Sequence, residues 1–339
     1  MPNQRRAPSV LDRDHLFYPH GRLTSRIIVV RWANATPERK IPLDFTDADL
    51  PGIWKNSDMA SKRGQHWTLW LTRIKVGAGV LAAFGGTLSL TIERIDIAGW
   101  LVLFGFLIAL CAEIVAWVMQ PEKLWYEGRA VAESAKTLAW RYSVGADPFS
   151  VDISSSIAQK ELRNRISNVA DQVAERIIFD SEQPAVTSTM DELRSRPFEV
   201  RRDTYLNCRT LDQQRWYADK ARFNRHRANT WRVILLVAEL VASVFAAGRV
   251  FGGWSIDFAG LLAALIAGGT AWVAVKQFSP LASAYAIAAK ELGIQKLKLS
   301  SVEETEWQLV AADAEEAISR EHTSWLASRT GRTSRLIEP

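Results

Sequence analysis

Two glutamates lie inside strongly apolar stretches of the sequence, where an ionised carboxylate is costly. Glu113 stands seven residues before Gln120, and Glu239 stands seven residues after Arg232. At a rise of about 1.5 Å per residue, both acids lie about 10 Å below the matching ends of their apolar segments. Ionisable groups at such depth face water or a partner. Two interpretations stay open: the acids line a cation path formed on oligomerisation, or they join neighbouring helices by hydrogen bonds.

Two clusters of arginines precede the third apolar segment. The first comprises Arg194, Arg196, Arg201 and Arg202, and the second comprises Arg222, Arg225, Arg227 and Arg232. The second cluster borders the apolar segment, which predicts contact with anionic lipid headgroups. The first offers guanidinium groups to an anionic nucleotide or a partner surface. A solvated charged face is the more common explanation for such a run.

Signals for catalysis are few. The five histidines are scattered without metal-ligand spacing, and neither cysteine has a neighbouring base. No Lys-Ser/Thr pair follows the glycine-rich stretches, so they do not form a phosphate-binding loop. The acidic run Glu303-Glu304-x-Glu306 is typical of the polar face of a helix near its start. The sequence therefore predicts a protein that is not an enzyme, with no cofactor and no metal site.

Four apolar segments must position the two glutamates. A membrane-spanning helix needs about 20 mainly apolar residues. The segments are Val76–Ile92, Ala98–Met119, Val233–Val250 and Ile256–Val275. The first is the shortest and the richest in glycine. Tryptophans cluster near the segment ends, as in an interfacial belt. The alternative, a soluble protein with buried helices, fits these lengths less well.

The basic residues predict the orientation. Residues 1–75 carry 13 Lys or Arg, residues 119–230 carry 18, residues 276–339 carry 8, and the two hairpin loops carry one each. Basic flanks stay cytoplasmic, so both termini and the middle region are expected in the cytosol. No apolar segment precedes Val76, so no signal peptide is expected. The net charge of +5 is explained by contact with the lipid bilayer and predicts no direct nucleic-acid partner.

The two membrane hairpins repeat each other. Asp96-Ile-Ala-Gly99 opens the second segment and Asp257-Phe-Ala-Gly260 opens the fourth, while Ala-Trp-Val recurs at 116–118 and 271–273. Pro121 and Tyr126 likewise match Pro280 and Tyr285. The repeats have the same membrane orientation, unlike the inverted repeats of many transporters.

These patterns predict an all-α integral membrane protein. Its four transmembrane helices form two repeated helical hairpins with cytoplasmic helical extensions, preceded by a small irregular or β N-terminal arm. The predicted divisions are the arm 1–53, a first unit 54–180, a linker 181–197, a second unit 198–328 and a tail 329–339. The β-favouring run Ile27–Val30 lies in the arm. An apolar stripe at helical spacing predicts a helix near the C-terminus: Trp307, Ala311, Ala314, Ile318 and Trp325.

Several motifs resemble segments of the SLATT family. The run Trp125-Tyr-Glu-Gly-Arg129, continuing through Glu133 and Lys136 to Leu138-Ala-Trp-Arg-Tyr142, resembles the segment after the hairpin in one branch. Tyr205-Leu-x-x-Arg209, Asp212-Gln213-x-x-Trp216-Tyr217 and Lys220 resemble the segment before the hairpin in another branch. Glu306-Trp307, Ala314-Glu315 and Glu321-His322-x-x-Trp325 are similar to the tail of that second branch.

The resemblance covers about residues 54–325 and implies a fusion of two branches. SLATT proteins are bacterial two-transmembrane modules associated with nucleotide-signalling conflict systems. The resemblance implies an effector of the bacterial inner membrane that forms a homo-oligomeric pore. This effector would act in antiviral defence after a cytoplasmic signal. A nucleotide second messenger or a sensor protein is the implied partner. Two alternatives stay open: a non-conducting scaffold or sensor that recruits a cytosolic partner, and a small ion transporter.

Overall fold

The computed structural model describes residues 43–87, 91–92, 95–171, 177, 184–253 and 258–330, with the backbone alone for 91–92, 95 and 320–330. Most of the predicted N-terminal arm, with Ile27–Val30, lies outside these residues. The helices are α1 (Gly52–Thr87), α2 (Ile97–Met119), α3 (Pro121–Val144), α4 (Ser155–Asp171), α5 (Ser188–Ser195), α6 (Phe198–Thr204), α7 (Asp212–Gly252), α8 (Phe258–Lys276), α9 (Phe278–Ser301) and α10 (Glu304–Thr330). A π-helix, Tyr205–Leu211, joins α6 to α7.

Between α1 and α2 the structure describes two short antiparallel strands. Strands β1 (Thr91–Ile92) and β2 (Ile95–Asp96) pair Thr91 with Asp96 and Ile92 with Ile95. The prediction that the first apolar helix reaches Ile92 is therefore wrong, since α1 ends at Thr87. The prediction for Asp96 is confirmed, because its side chain caps α2 by accepting a hydrogen bond of 3.0 Å from the Gly99 nitrogen. Its predicted counterpart, Asp257, lies outside the described residues.

Small residues recur along one face of α1 at alternating spacings of four and three. Seven small residues lie on this face, with Leu71 and Lys75 in the middle of it: Ser57, Ser61, Gly64, Thr68, Ala78, Ala82 and Gly85. A repeat of 3.5 residues keeps one face of a helix turned toward a long antiparallel partner. This small-residue face lies against α2 and α3 along nearly the whole of α1.

The contact is close enough to require glycine. A β-carbon added at Gly64 would lie 2.5 Å from the Trp125 nitrogen, and one added at Gly128 would lie 2.8 Å from the Ser61 nitrogen. In the apolar half, a β-carbon at Gly105 would lie 2.8 Å from the backbone oxygen of Ala78. Because α1 packs against both α2 and α3, α3 continues the direction of α2, and α1 links the apolar half of the unit to its polar half.

Two joints, between α2 and α3 and between α8 and α9, contain a glutamine in the left-handed conformation. Gln120 (φ 44°, ψ 49°) separates α2 from α3, and Gln277 (φ 50°, ψ 40°) separates α8 from α9. A left-handed conformation costs a non-glycine residue about 1–2 kcal/mol. Each glutamine follows one of the repeated Ala-Trp-Val motifs. The internal repeat therefore extends to an unusual turn that the sequence comparison did not single out.

Among the described residues, three helical stretches are long and apolar enough to cross a membrane, and they contain α2, α7 and α8. The apolar half of α1 packs against two of these helices. The main contacts place the four in the order α2, α1, α8, α7.

Outside the apolar helices, α3, α4, α5 and α10 contribute to one hydrophobic core. It includes the buried rings of Trp140, Tyr142 and Trp307, and Phe45 and Leu50 from the described end of the predicted arm. The predicted linker is wrong over residues 188–195, because these form α5 and bury Met190 and Leu193 completely. The stripe on α10 is confirmed at Trp307, Ala311, Ala314 and Ile318, which are all buried.

Candidate functional site

The two membrane acids have different surroundings. The Glu113 carboxylate accepts a hydrogen bond of 2.9 Å from the ammonium group of Lys75, so α2 is joined to α1 by an ion pair at the depth of Glu113. This is the interhelical bond that the sequence left open as an alternative. Glu239 is exposed on α7 and forms no ion pair within the described part of the chain. Both acids lie on the helices at the two ends of the order α2, α1, α8, α7.

The second arginine cluster lies on α7, where its polar part meets the apolar segment. Arg222, Arg225 and Arg232 are exposed, and Arg222 is paired with Asp219. The guanidinium carbon of Arg227 lies 5.4 Å from the centre of the Phe223 ring. Contact between this cluster and lipid headgroups stays a prediction.

The first arginine cluster is not a uniform solvated face. Arg194 and Arg201 are 6% and 3% exposed, so that interpretation is wrong for these two residues. Arg196 is exposed and paired with Glu192 one turn earlier. Arg202 is partly buried, is paired with Asp203 and covers the ring of Phe198.

The two buried arginines bind the loop at the end of α3. Arg194 donates to the backbone oxygens of Tyr142, Phe149 and Ser150. Arg201 donates to the Val144 oxygen at 2.8 Å and to the Arg196 oxygen at 3.1 Å. Carbonyls at a helix C-terminus have no partner in the helix and carry partial negative charge. Burial lowers the pKa of both guanidinium groups, and nearby carboxylates oppose this shift, Asp191 for Arg194 and Glu304 for Arg201.

These arginines border a pocket of about 680 Å³. Its polar lining comprises Ser155, Asp191, Arg194, Ser195, Arg196, Arg201 and Glu304. The Glu304 carboxylate accepts from Arg201 at 3.1 Å. The structure therefore brings together three of the four arginines of the first cluster and adds an acid from α10, which the sequence analysis had assigned to a solvated helix face.

Asp191 is held on the wall of this pocket by Tyr142 and Gln159. The Tyr142 hydroxyl donates to one carboxylate oxygen, and the Gln159 amide donates to the other at 3.0 Å. Burial, reinforced by the hydrogen bond to Asp191, raises the pKa of Tyr142 to about 12.

Replacing Tyr142 by phenylalanine is expected to change the alkaline stability of the protein. A raised pKa favours the neutral phenol in the folded state, so its contribution is complete below pH 10 and is lost as the pH rises through 12. The rise of the Tyr142 pKa from 10.0 to about 12 corresponds to about 3 kcal/mol. Melting temperatures from pH 8 to 12 are therefore expected to fall more steeply for the wild type than for Tyr142→Phe. Parallel curves would contradict the raised pKa.

A second buried polar cluster joins the π-helix to α10. Arg209 donates to both oxygens of Glu315 at 2.8 Å, and the Tyr205 hydroxyl donates to the same carboxylate at 2.9 Å. All three residues are at most 2% exposed. Burial disfavours a charged guanidinium, but the Glu315 carboxylate outweighs it and raises the pKa of Arg209. Tyr205 and Arg209 are one helical turn apart, whereas Glu315 is 106 residues from Arg209, so spacing did not indicate the contact.

Two family profiles match the chain: SMODS and SLOG-associating 2TM effector domain 3 over residues 51–202, and SMODS and SLOG-associating 2TM effector domain 1 over residues 205–325. The chain belongs to the SLATT family. It carries two SLATT domains in tandem, as the motifs predicted. Searches of curated proteins and of solved structures each found no match.

The first SLATT domain contains α1 to α6, and the second contains the π-helix and α7 to α10. The motifs that carry the resemblance form interior contacts. Gly128 of the first domain packs against the backbone of α1, and Arg129 pairs with the buried Glu133 at 3.1 Å. Tyr205, Arg209 and Glu315 of the second form the buried cluster. These SLATT motifs therefore stabilise the fold, and none of these contacts places them in the arginine-lined pocket.

The two SLATT domains meet where α10 packs on the end of α3. The indole nitrogen of Trp307 donates to the Val144 oxygen at 2.8 Å, and Arg141 donates to the Ala312 oxygen at 3.0 Å. Val144 thus receives hydrogen bonds from Trp307 of the second domain and from Arg201 of the first. The arginine-lined pocket lies at this junction. Among the described residues, no group of three or more His, Cys, Asp or Glu is placed to hold a metal ion.

Proposed function

We propose that this protein is a non-enzymatic effector of the bacterial inner membrane that assembles into a homo-oligomeric pore in antiviral or conflict defence. The observation that carries the proposal is the presence of two 2TM effector domains in one chain. A cytoplasmic signal rearranges the cytoplasmic helices, and the membrane helices then conduct ions.

The proposal includes α1 as a fourth membrane span, with both termini in the cytosol. Its apolar half packs against α2 and α8, which are both apolar enough to cross a membrane. The guanidinium of Arg73 lies 5.3 Å from the centre of the Trp272 ring, and the ammonium of Lys276 lies 5.0 Å from it. Basic residues and tryptophan meet in this way at a membrane–water interface, with the charged ends directed toward headgroups.

The arrangement of the spans supports assembly. The outer helices α2 and α7 carry many of the large exposed apolar side chains of the membrane half. When α2 of one copy packs against α7 of the next, the contact is head-to-tail, and such contacts generate rings when the rotation closes. Glu113 of each copy then lies near Glu239 of its neighbour. Alternating acids of matched depth form the wall of a cation path.

A non-conducting scaffold is the second candidate. It is favoured by the large cytoplasmic portion, in which both domains share one core with α10 at their junction. A scaffold is expected to leave the membrane potential unchanged and to retain a cytosolic partner on purification.

Induced expression of the full chain is expected to depolarise bacteria, as read with a voltage-sensitive dye. The double variant Glu113→Gln/Glu239→Gln is expected to slow depolarisation at least about tenfold, because a neutral amide no longer attracts cations to the path. The matched control, Glu291→Gln/Glu316→Gln, removes two exposed cytoplasmic acids and is expected to behave as wild type. A stable potential in cells where crosslinking shows an assembled oligomer would contradict the pore and favour the scaffold.

A further inference from the structure

Lys75 of α1 and Glu113 of α2 form an ion pair inside the apolar half of the first SLATT domain. The ammonium nitrogen lies 2.9 Å from a carboxylate oxygen. Glu113 stands seven residues before the joint at Gln120, about 10 Å into the apolar half. Because a charge in hydrocarbon is costly, charged groups at this depth face a partner or water. Lys75 is the partner of Glu113.

Close backbone packing on both sides of this ion pair fixes the distance between α1 and α2–α3. A β-carbon added at Gly105 would lie 2.8 Å from the backbone oxygen of Ala78, which stands three residues after Lys75. In the other direction along α1, a β-carbon added at Gly64 would lie 2.5 Å from the Trp125 nitrogen. Helices packed at such distances have little room to shift. The ion pair is therefore positioned by the backbones and not only by the reach of its side chains.

The two membrane acids of matched depth therefore differ in net charge. Glu113 is balanced by Lys75, whereas Glu239 is exposed and forms no ion pair within the described part of the chain. Arg73 stands two residues before Lys75, about 200° away around α1. Its guanidinium carbon lies 5.3 Å from the centre of the Trp272 ring of α8. Lys75 is thus the cation that α1 directs toward α2 at this level.

The exposure of the ion pair gives both groups access to an ion path. The Glu113 side chain is 65% exposed and the Lys75 side chain is 36% exposed. In the ring proposed above, α2 of one copy packs against α7 of the next, so the pair and the neighbouring Glu239 border the same path. An ion that passes this level meets the positive charge of Lys75 as well as the two acids.

We propose that Lys75 sets the ion selectivity of the pore by neutralising Glu113, so that each copy contributes one net negative charge, on Glu239, at the level of the two acids. This inference rests on the proposed pore. Selectivity follows the charges that line a narrow path. By Coulomb's law, a unit charge about 8 Å from an ion changes its local concentration about two- to threefold in water and about thirtyfold near a protein surface. Cations and anions respond in opposite directions, so the ratio of their permeabilities changes at least about fivefold per unit charge.

The test is the ratio of K⁺ to Cl⁻ permeability, measured from reversal potentials of the purified full-length protein in planar bilayers under a KCl gradient. Lys75→Gln leaves the Glu113 charge unbalanced, so the ratio is expected to rise at least about fivefold. Glu113→Gln leaves the Lys75 charge unbalanced, so the ratio is expected to fall at least about fivefold. The exchanged variant Lys75→Glu/Glu113→Lys keeps the net charge and is expected to return the ratio to within about twofold of wild type.

Lys62→Gln is the matched control for Lys75→Gln. Lys62 also lies on α1 and is paired with an acid, Asp58, and its side chain is 40% exposed, close to the 36% of Lys75. It stands 13 residues before Lys75, in the polar half of α1. The same change of charge is therefore made outside the ion path, and the permeability ratio is expected to stay at the wild-type value.

Melting curves of the same proteins in detergent, followed by circular dichroism, test the ion pair without the pore. Both single variants at the pair are expected to melt below wild type, because each leaves one charge without its partner, and the exchanged variant is expected to recover. Equal melting of all these variants would contradict the pairing.

The currents separate the role of Lys75 from the pore itself. Unchanged permeability ratios in bilayers that conduct would overturn the role of Lys75 and leave the pore in place. Equal shifts for Lys75→Gln and Lys62→Gln would also overturn that role, since they would indicate a general effect of charge. Absence of current from the wild type and from every variant would overturn both the pore and the selectivity role, whatever the melting curves show.

Discussion

Replacing Glu315 by alanine is expected to lower the free energy of unfolding by about 3–5 kcal/mol, because it leaves the buried Arg209 charge without its partner. Arg209 is 1% exposed and Glu315 is fully buried, so water does not replace the lost carboxylate. The Tyr205 hydroxyl loses its acceptor in the same variant. Thermal melting of the purified protein, followed by circular dichroism, measures this loss. We expect the midpoint to fall by about 10 °C.

Two variants distinguish a buried charge from a general loss of packing. Glu316→Ala changes an exposed acid next in the chain and is expected to melt within about 0.5 kcal/mol of wild type. The double variant Arg209→Met/Glu315→Leu removes both charges and is expected to recover most of the lost stability, because an apolar pair of similar volume has no desolvation cost. If the double variant melts no higher than Glu315→Ala alone, the loss does not come from an unpaired charge.

Replacing Gly105 by valine is expected to separate α2 from α1. A β-carbon at Gly105 would lie 2.8 Å from the backbone oxygen of Ala78 and 2.8 Å from the β-carbon of Ala82. Both atoms belong to the rigid part of α1, so the whole helix would have to move. Overpacking of this kind costs about 1–3 kcal/mol or more. We expect a lower melting temperature for Gly105→Val, measured by circular dichroism of the purified protein in detergent.

The same substitution at Gly79 provides the control. Gly79 lies in α1 at the same apolar level, and a β-carbon there meets nothing within 4 Å. Gly79→Val therefore carries the same change in helix propensity and volume without the contact. Equal effects of the two variants would show that propensity, and not the close approach of α1 and α2, governs this part of the fold.

The periodicity and composition of the sequence determined the membrane class, the helical character and the repeat. Runs of apolar residues as long as Ala98–Met119 have few alternatives to a spanning helix, because a backbone in lipid must satisfy its own hydrogen bonds. The motifs at Trp125–Arg129 and Tyr205–Arg209 likewise predicted the family, which the profile matches confirm. The sequence also predicted the apolar stripe on α10, because an amphipathic helix buries residues spaced three and four apart.

Tertiary structure alone decided what the charged residues do. Arg194, Arg196, Arg201 and Arg202 lie close together in sequence, yet Arg194 and Arg201 are buried, Arg202 is partly buried and Arg196 is exposed. The reason is that the end of α3 offers free carbonyls to Arg194 and Arg201. Glu303 and Glu304 are neighbours of the same type, and the fold brings Glu304 alone of the two into the arginine-lined pocket. Glu315 and Arg209 meet across 106 residues. Local pattern specifies which face of a helix is apolar, whereas the partner of a charge depends on which distant segment the packed helices bring beside it.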